Sequence, residues 1–189
     1  AYNYDSRYFA EFNFGYNGSE NFSPGKRFGF FPSGAVGWLV SNEGFFLPLT
    51  NVIDMLKLRI SYGIVGNDDI GGGRRFIYLP TFNLSAPGFV FGLPGSGYDI
   101  GGIRAGELAN NSVSWETVNK FNVGLELQLI SKLKIQADYF KEHRTGIFLE
   151  RDDISATAGI GYLPWVNTGE VKNNGFERQL CLCPKYCYQ

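Results

Sequence analysis

The chain has 189 residues, is 44% hydrophobic and carries a net charge of −1, which suits one ordinary domain and is too apolar for a disordered tail. The near-neutral charge removes any bulk attraction for nucleic acid or an anionic membrane surface. With a mean hydropathy of −0.13 and no apolar run of about 18 residues, a membrane helix is excluded, whereas a membrane strand, whose apolar residues alternate, is not. The 17 Phe, 11 Tyr and 25 Gly favour strands and turns over helices. The sequence starts at Ala1 without a charged-then-apolar leader, so a secretory signal has been removed or the sequence is an internal piece.

Residues 7–17 alternate, with Tyr8, Ala10, Phe12, Phe14 and Tyr16 on one side of an extended chain and Arg7, Glu11, Asn13 and Asn17 on the other. This predicts a first strand. Residues 18–27 read as a loop. A second strand is predicted over 28–40, where Pro32 marks a bulge or a strand end because proline cannot donate to a ladder. Within 41–55, Ser41 or Asn42 is expected to cap a short helical turn. The third strand, 56–66, alternates strictly: Leu56, Leu58, Ile60, Tyr62 and Ile64 against Lys57, Arg59, Ser61 and Gly63. A long Gly-rich loop without structure of its own follows over 67–114, and loops of that length are usually functional. Strands are then expected over 115–129, 133–149 and 166–177, separated by a tight turn at Ile130-Ser131-Lys132 and a long loop over 150–167.

If the first strand points up, the longest loops fall at the top and the tight turn at the bottom, the asymmetry of an outer-membrane barrel. The expected fold class is all-β, an antiparallel transmembrane β-barrel segment of about six strands with long extracellular loops, the barrel being incomplete in this chain. Tyr8, Tyr16, Trp38, Trp115 and Tyr139 near strand ends suit an interfacial girdle. Lys57, Arg59, Glu126, Gln128, Lys134 and Asp138 would then line a polar lumen. The residues leave a second reading open, a soluble β-sandwich carbohydrate-binding module, whose strands also alternate. Sandwich strands run to roughly 5–6 residues, and those here approach the roughly 9–11 of a tilted membrane strand.

No catalytic constellation is found, and no enzyme, metal site or cofactor is expected. His143 is the one histidine, has no nucleophile motif with it, and reads as an exposed strand-end residue. Asp68-Asp69 and Asp152-Asp153 lack the spacing of a calcium loop, and the Gly-rich stretches lack the ending of a phosphate loop. Cys181, Cys183 and Cys187 have no fourth ligand nearby and make a poor zinc site. The loop aromatics Tyr78, Phe82, Phe89, Phe91, Tyr98 and Trp165 suit stacking on sugar rings. Tyr78, Tyr98 and Trp165 are taken as candidate substrate-binding residues, with loop-to-loop packing or contact with a lid protein as their other uses.

Four stretches carry a family resemblance: Tyr4-Asp5-Ser6-Arg7-Tyr8, Phe14-Gly15-Tyr16-Asn17-Gly18-Ser19-Glu20-Asn21-Phe22, Arg27-Phe28-Gly29-Phe30-Phe31-Pro32-Ser33-Gly34-Ala35-Val36-Gly37-Trp38 and the run from Leu56 to Asp68. Trp115-Glu116-Thr117, Asn119-Lys120-Phe121-Asn122-Val123-Gly124 and the run from Asn167 to Glu177 continue it in order. Together they resemble the late barrel segment of SusC/RagA-type TonB-dependent outer-membrane transporters, over residues 1 to about 177. The resemblance implies a large barrel plugged by an N-terminal domain and energised through the TonB complex. It further implies a SusD-like surface lipoprotein as lid, an oligosaccharide or peptide ligand, outer membrane lipid around the wall, no nucleic acid, and a Gram-negative host of the Bacteroidetes type. No plug or TonB box is recognised in the sequence and six strands cannot close a barrel, so the fragment alone is not expected to transport. Residues 1–177 are read as the partial barrel. Residues 178–189 are read as an aberrant Cys-rich tail, of the kind that a frameshift or truncation produces. Phe176 facing lipid would put Arg178 on the same face.

Overall fold

Period-two alternation gives each strand two unlike faces, and pairing such strands in register gives a sheet with two unlike sides. The computed structural model describes residues 1–93, 97–130, 132–155, 157 and 163–182. Seven strands form one antiparallel sheet: β1 (Tyr2–Tyr4), β2 (Tyr8–Gly18), β3 (Phe28–Leu39), β4 (Ile53–Asn67), β7 (Glu116–Leu129), β8 (Leu133–Glu150) and β9 (Trp165–Leu182), each hydrogen-bonded to the next in that order. All six expected strands are present, and β1 adds a short edge. The sheet is a single open layer with β1 and β9 at its margins. It is not a sandwich: among the described residues the remaining strands form a separate two-stranded hairpin and no second sheet covers either face.

Register carries the two faces across the sheet. Tyr8, Trp38, Leu58, Leu125, Ala137 and Arg178 stand in one row, and Phe9, Gly37, Arg59, Gly124, Asp138 and Glu177 stand in the next. The first set belongs to an apolar face on which Phe12, Phe30, Ile60, Tyr62 and Phe176 are all solvent-exposed. A face this large and apolar has no place in water and suits hydrocarbon. Connections 5–7, 40–52 and 130–132 lie at one end of the strands, and 19–27, 68–115 and 151–164 at the other.

Three local expectations need correction. The 67–114 region is not structureless: β5 (Phe82–Phe91) and β6 (Tyr98–Ala105) pair as an antiparallel hairpin within it. Its glycines permit close approach instead of preventing order, since a Cβ on Gly88 would collide with the carbonyl of Ile100 across the hairpin. Pro32 neither ends β3 nor bulges it. It pairs with Phe14 on β2, while the β4 ladder starts one residue later at Ser33, so the missing N–H falls where β3 has one neighbour. The 40–52 connection does turn helically, as two 3₁₀ segments, Val40–Asn42 and Gly44–Leu49, but no side chain caps either. Asn42 instead donates to the Ser6 carbonyl at 3.0 Å.

β9 continues past position 177 and pairs with β8 as far as Leu182 opposite Leu133. Cys181 is a free, half-buried thiol opposite Lys134, while Cys183 and Cys187 lie outside the described residues. Gly159 and Gly161 of the 150–167 loop also lie outside them.

Candidate functional site

The polar side of the sheet is organised around Arg59. Its Nη2 donates to Asp138 Oδ1 at 2.7 Å, its Nη1 lies 3.7 Å from Glu126 Oε1, and Gln136 Nε2 donates to Asp138 Oδ2 at 3.0 Å. β4, β7 and β8 supply these groups from neighbouring strands, and Gly124 leaves the gap through which Arg59 reaches Asp138. Further up the same face, Lys120 pairs with Glu142 at 3.1 Å and Arg144 with the buried Glu116 at 2.6 Å. Lys57 stands opposite Glu126, and Gln128 opposite Lys134. The six residues expected to line a lumen therefore share one side. Charges at this density, paired across strands, suit a water-filled wall and not a lipid contact.

Above this wall, the upper loops close on one another. Phe22, Ile70, Ile77 and Val113 form the buried cluster, with Trp115, Phe148 and Trp165 packed against it. Trp115 lies 5.4 Å from Phe22 and 5.1 Å from Phe31, ring to ring. By register Phe31 shares the face of Ser33, Ala35 and Gly37, so the loop cluster leans over the polar side. Trp115 was expected in an interfacial girdle. It is instead a core residue of the cap, its indole N–H donating to the Arg27 carbonyl at 3.1 Å.

Side-chain amides fasten the three loops. Asn21 donates to the Asp68 carbonyl at 3.1 Å, and Asn110 to the Trp165 carbonyl at 2.6 Å. Asn167 does most: its Nδ2 donates to the Ser114 and Gly146 carbonyls at 2.9 and 2.7 Å, and its Oδ1 accepts from the Ser114 amide at 3.0 Å.

The candidate aromatics fall into two places. Trp165, the first residue of β9, stacks on Phe148 at 5.3 Å, and the Arg74 guanidinium lies 4.2 Å over its ring. Tyr78 is half-buried beside Ile77, with its hydroxyl accepting from Arg27 Nη2 at 3.4 Å. Tyr98 is 73% exposed at the start of β6, opposite Phe91, away from the other two. Phe82 and Phe89 are exposed on the same hairpin. Arg74, also paired with Glu107 at 3.1 Å, and Asn167, near the start of β9, are not marked as functional by the sequence; neither an Arg in a loop nor an Asn in a strand carries a pattern that marks it.

Two of the four loop carboxylates are already engaged. Arg151 grips Asp153 through Nε and Nη2, both at 2.8 Å, and that hydrogen bonding holds the carboxyl below the usual carboxylate range. Asp69 accepts from the Gly71 amide at 2.8 Å. Among the described residues no group of three or more His, Cys, Asp or Glu is placed to hold a metal. His143 is not at a strand end: it lies within β8 and its Nε2 is 2.8 Å from Glu170 Oε1.

Three curated proteins align along nearly the whole chain at 30% identity. TonB-dependent receptor P3 of Formosa agariphila aligns over 177 residues, 93% of this chain and 16% of its own length. TonB-dependent receptor P39 of the same organism covers 97% of this chain and 16% of its own length. TonB-dependent receptor SusC of Bacteroides thetaiotaomicron covers 91% of this chain and 17% of its own length. The chain thus spans about a sixth of the length of these relatives, which are receptors and not enzymes. No family model matches the sequence. Among solved structures, the RagAB peptide importer in its closed-closed state superimposes with a TM-score of 0.75 at 21% identity, over 94% of this chain and 18% of its own. Its open-open state gives 0.73 at 23% identity, with the same coverage. That likeness establishes the fold.

Proposed function

This chain is homologous to a barrel segment of the SusC/RagA-type TonB-dependent receptors, and we propose that it forms part of the wall and extracellular cap of an importer of that type. The observation that carries the reading is the two-sided sheet. One face is continuous apolar surface, the other is ion-paired, and the long loops fold over the ion-paired side. That arrangement separates lipid from a watery passage and narrows the mouth of the passage.

The rest of the proposal draws on what the relatives are. The site of action is the outer membrane of a Bacteroidetes-type bacterium, energy comes through TonB, and a SusD-like lipoprotein sits over the loops. The cargo is a glycan or a peptide. The likeness to the RagAB peptide importer supports a peptide, and the exposed loop aromatics suit stacking on sugar rings. Tyr98 and the exposed aromatics of the β5–β6 hairpin are the proposed contacts for ligand or lipoprotein, with Tyr78 and Trp165 holding the floor beneath them. We include in the proposal the division of the chain at 177. Arg178 has lipid-face parity between Phe176 and Leu180, both exposed, where an arginine breaks the apolar pattern, at little cost in the row of Tyr8 and Trp38 near the interface.

The test uses the full-length receptor that carries this segment, purified with its outer-membrane partners. Fluorescent oligosaccharide and oligopeptide pools are offered to it, and to a variant with Tyr98→Ala and Phe89→Ala. The reading expects one pool to be retained and the variant to lose it while keeping its heat-modifiable mobility. Retention of neither pool, or equal retention by the variant, would refute the assignment of these residues.

A further inference from the structure

The 40–52 connection is built unlike the other two at its end of the sheet, which are tight turns. It leaves β3 just past Trp38 and doubles back through two 3₁₀ segments, with Phe46 buried at 3% exposure. Phe45, Leu47, Leu49 and Val52 point outward, each at least half exposed. So dense a run of large apolar side chains is out of place in a connection facing water.

Glu43 fixes where this segment lies. Its Oε1 accepts from the Tyr8 hydroxyl at 2.7 Å and from Trp38 Nε1 at 3.1 Å, and its Oε2 accepts from Arg7 Nη1 at 3.4 Å. Tyr8 and Trp38 are paired across β2 and β3 and stack with ring centroids 6.3 Å apart. Both belong to the apolar face of the sheet, so the segment is tied to that face and not to the ion-paired one. It re-enters the sheet on the same side. The register shift between Ile53 and Met55 inserts one residue, which puts Ile53 and Leu56 both on the apolar face, opposite Leu129 and Leu127. Aromatic rings with polar tips turned to a carboxylate at the strand ends mark the level where hydrocarbon gives way to headgroups.

We propose that residues 43–52 form an interfacial anchor, lying along the phospholipid of the periplasmic leaflet with Phe45, Leu47, Leu49 and Val52 at the headgroup–acyl boundary. The occupant is phospholipid because the segment is continuous with the apolar face that meets the bilayer. The inference rests on that face meeting lipid. A short amphipathic segment of this kind binds in the plane of the membrane through its buried apolar area. It fixes the depth of the wall at this point, as a float fixes a waterline.

The experiment uses the full-length receptor in phosphatidylethanolamine and phosphatidylglycerol vesicles, with its native cysteines replaced by serine. An environment-sensitive fluorophore is attached at Phe45→Cys, Leu47→Cys or Leu49→Cys, with Leu58→Cys as the sheet-face control and Glu20→Cys as the aqueous control. All five positions except the partly shielded Leu58 are well exposed, and heat-modifiable mobility verifies the fold of each. Quenching by a nitroxide high on the lipid acyl chain should exceed quenching by iodide at 45, 47 and 49 by about threefold or more. Iodide quenching like that at Glu20, or quenching by neither agent as under a covering protein, would overturn the anchor while Leu58 still reports lipid. Loss of lipid quenching at Leu58 as well would overturn the barrel reading and the anchor with it.

Discussion

Arg59 illustrates how one side chain organises a wall. It serves Asp138 and Glu126 together, while its Nε is buried without a partner. Truncation to alanine leaves Asp138, which is 8% exposed, without its cation. Arg59 itself is solvent-accessible, which screens the pair, so Arg59→Ala should cost about 1–3 kcal/mol of stability, read from urea unfolding in lipid vesicles. Gly124→Ala should cost a comparable amount, because its Cβ would meet both Arg59 Nε and Asp138 Oδ1. The two changes remove one interaction, so the double variant should lose clearly less than their sum; additivity would show that Gly124 acts elsewhere. Glu43 makes a pH prediction. Hydrogen bonds from Tyr8 and then Trp38 hold its carboxyl below the ordinary glutamate range, with Arg7 adding a favourable charge and Asp5 on the far side of Arg7. A depressed carboxyl stabilises the folded state above its unfolded value, and that stabilisation fades as pH falls through the folded value. Protease cleavage within 40–52 should therefore stay slow at neutral pH and rise on acidification below the ordinary glutamate range. Glu43→Gln should be cleaved faster at neutral pH and flatten that rise. At this scale the sequence was least informative. The alternation placed Arg59 and Asp138 on one face, but nothing local shows that Gly124 clears the way between them, or that Asn167 ties the 68–115 loop to β8. Those are facts of register between strands that are distant in sequence.

Among the elements, the β5–β6 hairpin stands most by itself. It forms its own two-stranded sheet and joins the cap at a neck where Thr81 bonds Gly106 and Glu107: the Gly106 amide to the Thr81 carbonyl at 2.8 Å, and the Glu107 amide to Thr81 Oγ1 at 2.8 Å. Replacing 82–105 by a short Gly-Ser turn should leave insertion and heat-modifiable mobility of the full-length receptor intact and abolish capture of its partner or cargo. Asn167→Ala should do the reverse. It should loosen the cap by about 1–3 kcal/mol by stranding Ser114 and Gly146 backbone groups, read as faster amide exchange across 110–116, while the wall exchanges as before. The wall strands were legible because each carries a long period-two pattern bounded by turn residues. The hairpin was not, because Leu84, Pro87, Gly88 and a register that slips twice break that pattern, and glycine-rich composition reads as loop when only cross-strand approach explains it. The cap core was hidden for a related reason: Phe22, Ile70 and Val113 are single apolar residues in polar surroundings and Ile77 sits in a short apolar run without a period, and the four are joined only in space.

As a whole molecule the chain is an arc with two unfinished margins. β1 and β9 each present unpaired backbone groups, which cost several kcal/mol apiece in hydrocarbon. Refolded alone into detergent, the chain should therefore give no heat-modifiable monomer and should associate edge to edge. A compact, heat-modifiable monomer would contradict the open sheet. The strands also differ in height. β2 and β3 hold 11 and 12 residues, β8 and β9 hold 18 each; counted from the shared row of Tyr8, Trp38, Ala137 and Arg178, the β8–β9 flank stands higher at the long-loop end by roughly 10 Å at about 3.3 Å per residue, and the rest of its extra length descends at the other end. The rim is therefore cut on a slant. In the proposed importer that step would raise the wall on the β8–β9 flank of this segment like a parapet beside the lower sill of β2–β3.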